Sequence, residues 1–94
     1  MTDSSNGVVV YSQPDCQPCR ATKRALDARG VEYAAVDIAD DPDAAAHLNQ
    51  RGWQGTPVVE VVRGGAVAAA WQGLRMGAIN ALAKGENLEA HDMR

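Results

Sequence analysis

Short apolar runs recur along the chain and predict four β-strands. The first, Val8–Tyr11, is continuously apolar, as expected of a strand that is covered on both faces of a sheet. A second strand is predicted over residues 32–38. Two more strands, over residues 58–62 and 66–71, flank Arg63-Gly64-Gly65, and a Gly-Gly pair between strand-like runs is typical of a hairpin turn. The last two strands are therefore expected to be antiparallel.

Between the first two strands, residues repeat at the spacing of an amphipathic helix that begins at Cys16. Its inward stripe is predicted to consist of Cys19, Thr22, Leu26 and Arg29. Gly30 is expected just past the helix end, with Val31 folding back in a Schellman-type stop.

Two further helices complete the predicted order. Residues 40–43, Asp-Asp-Pro-Asp, mark the start of one that ends near Gly52, because Asp caps helices and Pro and acids are favoured in the first turn. The last helix is predicted from the stripe Leu74, Ala78, Ile79 and Leu82, and it stops by Gly85. The order β-α-β-α-β-β-α, with a crossover that makes the first two strands parallel, predicts an α/β fold of the thioredoxin type. Its four-stranded mixed sheet is flanked by helices on both faces.

Cys16 and Cys19 are the only cysteines, and their C-x-x-C spacing admits three interpretations. A structural disulfide across so short a loop would contribute little stability. A zinc site needs about four ligands, and the remaining candidates, His47 and His91, are far apart without ligand spacing. A redox pair requires a strand before the motif and a helix beginning at it, within a βαβ pattern. The sequence supplies that context, which favours redox chemistry.

The two thiols are predicted to have different roles. Unpaired N–H groups and the macrodipole at a helix N-terminus stabilise an anion, so Cys16 is expected to be the attacking thiolate. Cys19 lies one turn further on and is expected to resolve the mixed disulfide. Pro18 falls in the first helical turn, where its missing N–H costs little. No acid interrupts Val8–Tyr11, so no buried carboxylate is expected to act as a base for Cys19.

Gly55-Thr56-Pro57 is the second candidate part of the site. A cis Pro57 would turn the backbone of Thr56 toward the thiols, where it could pair with an extended substrate segment. A trans Pro57 would simply open the following strand. Periodicity alone favours the trans form.

Composition limits the class of protein. The 94 residues correspond to one domain, with residues 86–94 expected to form a flexible tail. The net charge of −3 and the lack of a basic run argue against nucleic-acid binding. The polar residues 1–7 resemble neither a secretory signal nor a membrane anchor, so the expected location is the cytoplasm, with a monomer as the expected state.

From Val8 to Leu82 the sequence resembles the glutaredoxin-like proteins called NrdH-redoxins. The resemblance rests on Asp15–Cys19, Ala21–Leu26, Arg29-Gly30, Gly52-Trp53, Pro57–Val59 and Trp71–Arg75. The last block is the most discriminating, because it resembles the family's Trp-Ser-Gly-Phe-Arg-Pro element before the final helix.

The resemblance implies a redox carrier with thiol-disulfide oxidoreductase activity. Its electrons would come from NADPH through thioredoxin reductase and pass to the large subunit of a class Ib ribonucleotide reductase. No bound cofactor is implied, since the Cys16–Cys19 disulfide is itself the redox-active group. The resemblance also favours the cis form of Pro57. The residues expected to contact partners are Gln17, Pro18, Trp53, Thr56, Pro57, Trp71, Gln72 and Gly73.

Two other functions remain as alternatives. A glutathione-dependent glutaredoxin would carry an acidic pair after the glycines of the last strand, to hold the ammonium of glutathione, whereas this chain has Gly73-Leu74-Arg75. A non-catalytic protein would use the cysteines for zinc or for an iron-sulfur cluster shared in a dimer. On their own, Trp71 and Trp53 are more typical of packing residues, and His47 is expected to be an exposed helix residue with no role.

Overall fold

Four strands and three helices alternate along residues 6–85, which are the residues that the computed structural model describes. They are β1 (Gly7–Ser12), α1 (Gln17–Ala28), β2 (Ala34–Asp37), α2 (Pro42–Gln50), β3 (Val58–Arg63), β4 (Ala66–Gln72) and α3 (Met76–Lys84). The predicted tail and His91 lie outside the described residues. None of the helices within residues 6–85 has both the length and the apolar character needed to cross a membrane.

The strands form one mixed sheet in the order β2-β1-β3-β4. As predicted, β2 is parallel to β1, and β3 and β4 form an antiparallel hairpin. The central pair, β1 and β3, is also antiparallel. Strand β2 is shorter than predicted, because it is an edge strand that pairs only with β1, from Val9↔Ala34 to Ser12↔Asp37.

The main core lies on the sheet face that α1 and α3 cover. Alternate residues of the central strands point to this face because side chains along a strand alternate between its two faces. The core includes Val10, Val59 and Trp71 from the sheet, Leu26 from α1 and Ile79 from α3. Helix α2 covers the other face, where its His47 contacts side chains of β1 and β3.

The end of α1 has the predicted Schellman geometry. Gly30 has a φ of 70°, and its N–H donates to the carbonyl of Asp27. The N–H of Val31 donates to the carbonyl of Leu26, and the Val31 side chain packs against the core. Arg29, which was predicted to lie in the inward stripe, is exposed and donates to Asn80 of α3. The inward stripe therefore ends one turn earlier than the periodicity indicates.

The other two helix starts differ in how well the sequence predicts them. Asp41 caps α2 as expected, and its carboxylate accepts from the N–H of Ala44 at 3.1 Å. Leu74 was predicted to lie in the stripe of α3, and this prediction is wrong. Gly73 has a φ of 87° and Arg75 is extended, so the helix begins only at Met76 and leaves Leu74 in the preceding loop with 43% of its surface exposed.

Candidate functional site

Cys16 and Cys19 form a disulfide where β1 passes into α1. Cys16 is the N-cap of α1 with extended backbone, and its Sγ lies 3.2 Å from the backbone nitrogen of Cys19, which donates to it. Cys16 is 9% exposed and Cys19 only 2% exposed. The less buried cysteine is therefore also the one whose sulfur accepts a helix N-terminal N–H, as predicted for the attacking residue.

The loop before β3 contributes a second donor to the same sulfur. The hydroxyl of Thr56 donates to Sγ of Cys16 at 3.5 Å, and Thr56 is half-buried. The Thr56–Pro57 peptide bond is cis, as the resemblance led us to expect, and Pro57 is fully buried. The sequence suggested a role for the backbone of Thr56 but not for its side chain.

The end of β4 holds this loop beside the disulfide. Gln72 pairs with Val58, and the N–H of Gly73 donates to the carbonyl of Pro57 at 2.8 Å. A Cβ added at Gly55 would lie 2.8 Å from the amide nitrogen of Gln72, so only glycine fits there without displacing that side chain. The predicted residues Pro57, Gln72 and Gly73 are thus brought together.

The remaining predicted partner residues divide into exposed and buried ones. Gln17 and Pro18 are exposed in the first turn of α1. Trp53 is half-buried, and its backbone N–H donates to the carbonyl of Leu48. Trp71 is 0% exposed and belongs to the main core, so this structure gives its ring a packing role and no surface for a partner to contact.

A buried carboxylate that the sequence did not reveal lies on the α2 face of the sheet. Glu60 is 2% exposed, and its two oxygens accept hydrogen bonds from the hydroxyl of Tyr11 at 3.1 Å and from Nε2 of His47 at 2.8 Å. The guanidinium of Arg51 donates to Nδ1 of His47 at 2.9 Å, so in this arrangement the His47 proton is on Nε2. We call Tyr11, His47, Arg51 and Glu60 the Glu60 cluster.

The Glu60 cluster corrects the prediction that His47 is simply an exposed helix residue. It leaves unchanged the prediction that no buried carboxylate acts as a base for Cys19. His47 is not an exposed residue without contacts, because register places Glu60 of β3 opposite Val9 and directly beneath α2. Val59 and Val61, on either side of Glu60, point to the α1 face, so the carboxylate points away from the helix that carries Cys19. The cluster is a hydrogen-bonded network around one buried carboxylate and not a base for Cys19.

Burial and charge in this cluster also affect Tyr11. Burial, the nearby charge of Glu60 and the hydrogen bond to that carboxylate together raise the pKa of Tyr11 to about 12. All three causes favour the protonated phenol, which donates to Glu60.

The residues that the structure describes offer no assembled metal site. Within residues 6–85, no three His, Cys, Asp or Glu side chains come together as ligands.

Fold and site together define a thioredoxin-fold protein with one disulfide-forming cysteine pair at a helix N-terminus. The sequence model of the Glutaredoxin family matches residues 8–65. The glutaredoxin-like protein NrdH of Salmonella typhimurium is 37% identical over 75 residues, which cover 80% of this chain and 86% of that protein. The solved structure of NrdH-redoxin from Escherichia coli matches with a TM-score of 0.71 at 35% identity and covers 80% of this chain and 92% of that one. The chain belongs to the glutaredoxin family and, within it, to the NrdH-type redoxins.

A more distant comparison supports the fold alone. Thioredoxin from Fasciola hepatica matches with a TM-score of 0.68 at 21% identity. The four-stranded mixed sheet and its three helices are therefore the thioredoxin-like fold that the element order predicted.

Proposed function

We propose that this redoxin reduces protein disulfides by dithiol-disulfide exchange. It would receive electrons from NADPH through thioredoxin reductase and deliver them to the large subunit of a class Ib ribonucleotide reductase. The observation that carries the proposal is the asymmetry of the cysteine pair: Cys16 is the less buried of the two residues and its sulfur accepts from two donors, while Cys19 is more deeply buried.

The proposed exchange transfers two electrons in two steps. The Cys16 thiolate attacks one sulfur of the partner's disulfide, which forms a mixed disulfide and releases the partner's other sulfur as a thiolate. The Cys19 thiolate then attacks Sγ of Cys16, which forms the Cys16–Cys19 bond and releases the second partner thiolate. Both released thiolates take up protons, and thioredoxin reductase returns two electrons to the disulfide.

Two observations favour thioredoxin reductase over glutathione as the electron source. The E. coli relative is described as having a thioredoxin-like activity profile. In this chain, the loop after β4 reads Gly73-Leu74-Arg75, and Arg75 offers a positive charge where an ammonium would need a carboxylate. A glutathione-dependent activity would have to rely on other contacts.

The roles of the two sulfurs are tested by single substitutions. Cys16→Ser removes the attacking thiolate and is expected to abolish reduction of insulin disulfides. Cys19→Ser leaves the attack intact but removes the resolving thiol, so mixed disulfides with substrate should accumulate and be visible by intact-protein mass spectrometry. Undiminished activity of the Cys16→Ser variant would contradict the assignment.

The proposed acceptor is tested with a class Ib ribonucleotide reductase in multiple turnover. We expect deoxyribonucleotide to form in proportion to added redoxin when NADPH and thioredoxin reductase are present, and the Cys19→Ser variant to support no sustained turnover. Turnover that does not depend on the redoxin would exclude this acceptor while leaving the general disulfide reductase activity in place.

A further inference from the structure

A depression of about 480 Å³ lies beside the disulfide, between α1 and the loop that precedes α3. It is lined by Gln17, Pro18, Arg20, Ala21, Arg24 and Leu74. Residues 17, 20, 21 and 24 follow the helical spacing i, i+3, i+4, i+7, so they form one stripe that leads away from Cys16 along α1. We call this depression the α1 groove.

The α1 groove carries two guanidinium groups without an acidic partner in the part of the chain that the structure describes. Arg20 and Arg24 are exposed, and within residues 6–85 neither forms an ion pair. Two other arginines do have side-chain partners: Arg29 donates to Asn80, and Arg51 donates to His47 of the Glu60 cluster. The chain as a whole is acidic, with a net charge of −3, so the groove is locally positive against an overall negative background.

The opposite wall of the groove is apolar. Leu74 and Met76 are the exposed large hydrophobic residues of the described chain, at 43% and 40% exposure, and Leu74 lines the groove. An apolar wall that faces two unpaired cations, next to a reactive sulfur, suits a peptide segment with acidic and apolar residues.

We propose that the α1 groove binds an extended acidic segment next to the partner cysteine that Cys16 attacks. Carboxylates of that segment pair with Arg20 and Arg24, and an apolar side chain rests on Leu74. The proposal depends on the proposed function and specifies its substrate class: protein disulfides flanked by Asp or Glu. Glutathione also carries carboxylates, but its ammonium would face Arg75 in the same loop.

The geometry of α1 predicts how far the acidic residues of the partner segment should lie from the cysteine that Cys16 attacks. With a rise of 1.5 Å per residue, Arg20 and Arg24 lie about 6 Å and about 12 Å along the axis of α1 from Cys16. An extended chain advances about 3.3 Å per residue, so carboxylates about two and about four positions from the attacked cysteine reach these arginines.

The test uses three peptides, each with a single cysteine and each oxidised to its symmetric disulfide dimer. The first has Glu two and four positions from the cysteine on both sides, and the second has Gln at those positions. The third carries the same number of Glu residues, but about eight or more positions away, beyond the groove. Second-order rate constants for reduction by the reduced redoxin are measured at low and high salt.

The variant to compare is Arg20→Gln/Arg24→Gln. Arg63→Gln is the matched control, because Arg63 is also exposed but lies at the far end of β3, in the hairpin away from Val58 and the cysteines. The rate with the Gln peptide serves as the reference for each protein, so that a change in the intrinsic reactivity of Cys16 cancels from the ratio.

Wild-type protein and Arg63→Gln are expected to reduce the first peptide about fivefold faster than the Gln peptide at low salt, a preference typical of two exposed ion pairs. High salt should reduce this preference. The double variant should show a ratio of the two rates near one, and the third peptide should be reduced at nearly the rate of the Gln peptide by every protein.

Equal rates for all peptides with wild type, or an undiminished preference in the double variant, would overturn the groove proposal but leave the proposed function in place. If wild type reduces none of the peptides, the proposed function fails as well.

Discussion

The sulfur of Cys16 accepts from two donors that come from distant parts of the chain. One is the backbone N–H of Cys19 at the start of α1, and the other is the hydroxyl of Thr56, which lies 40 residues after Cys16. Hydrogen bonds to a charged acceptor stabilise it more than its neutral form, so both donors should favour the thiolate in the reduced protein. Thr56 is thus expected to adjust the reactivity of Cys16 directly.

Substituting Thr56 tests this contribution. Thr56→Val removes the hydroxyl donor and keeps the shape of the side chain. The pH midpoint for alkylation of Cys16 in the reduced protein should therefore rise by roughly half a unit to one unit. The midpoint is measured from the pH dependence of alkylation of the reduced protein. Thr56→Ser retains a hydroxyl and should stay near wild type. An equal rise in the Ser and Val variants would show that the hydroxyl is not responsible.

At the scale of elements, the end of α1 is set by one backbone conformation. Gly30 has a φ of 70°, and a Cβ added there would meet no atom within 4 Å. The cost of replacing Gly30 should therefore come from the backbone alone, because L-residues with side chains disfavour positive φ.

We expect Gly30→Ala to lower the free energy of unfolding by about 1 kcal/mol, measured by urea denaturation. Gly30→Asn should cost less, because Asn tolerates the left-handed conformation better. Since the change leaves the cysteines untouched, insulin reduction by the folded variant should equal that of wild type. A loss of stability that is the same for Ala and Asn would contradict the backbone explanation.

The Glu60 cluster joins three elements through one buried carboxylate. Tyr11 comes from β1, Glu60 from β3, and His47 with Arg51 from α2 and its C-terminal end. Removing Tyr11 or His47 takes a hydrogen bond from the buried carboxylate of Glu60, so the His47–Glu60 connection should contribute to holding α2 on the sheet.

The raised pKa of Tyr11 makes this network sensitive to alkaline pH. Its pKa is about 12 in the folded protein, chiefly because of burial and then because of the charge of Glu60, and about 10 in an unfolded chain. The folded state therefore holds the phenol proton more tightly. The resulting stabilisation is fully present below pH 10 and is lost as the pH rises through 12.

Tyr11→Phe should remove this part of the pH dependence. Between about pH 9 and about pH 11.5, the urea midpoint of the wild type should fall more than that of the variant. Tyr33→Phe is the control, because Tyr33 also donates to a carboxylate, that of Asp27, but through a longer and exposed hydrogen bond of 3.4 Å. Its removal should change the slope less. Equal slopes in wild type and Tyr11→Phe would contradict the account of the cluster.

At the scale of the whole molecule, the sequence predicts local features well and long-range contacts poorly. The C-x-x-C motif, the Gly30 stop and the Asp41 cap depend on residues close together in the chain, where spacing and residue type decide the conformation. Glu60 pairs with Tyr11 and His47 only because of strand register and helix placement, which no local pattern contains.

The candidate site shows the same division. The cysteines and Pro57 follow from motif and resemblance, whereas the donation from Thr56 to Cys16 requires the loop before β3 to reach the start of α1. The sequence around Trp71 does not show whether its side chain packs in the core or contacts a partner. Its burial follows from the face of β4 to which the side chain points. The exposure of Leu74 likewise depends on where α3 starts, which Gly73 and Arg75 determine.

The central proposal is that this redoxin draws its electrons from thioredoxin reductase, and a two-donor assay tests it most directly. Insulin reduction by the full chain is followed with NADPH and thioredoxin reductase, and in parallel with NADPH, glutathione and glutathione reductase. We predict sustained, redoxin-dependent turnover with thioredoxin reductase and little with glutathione. Efficient turnover with glutathione and none with thioredoxin reductase would contradict the account.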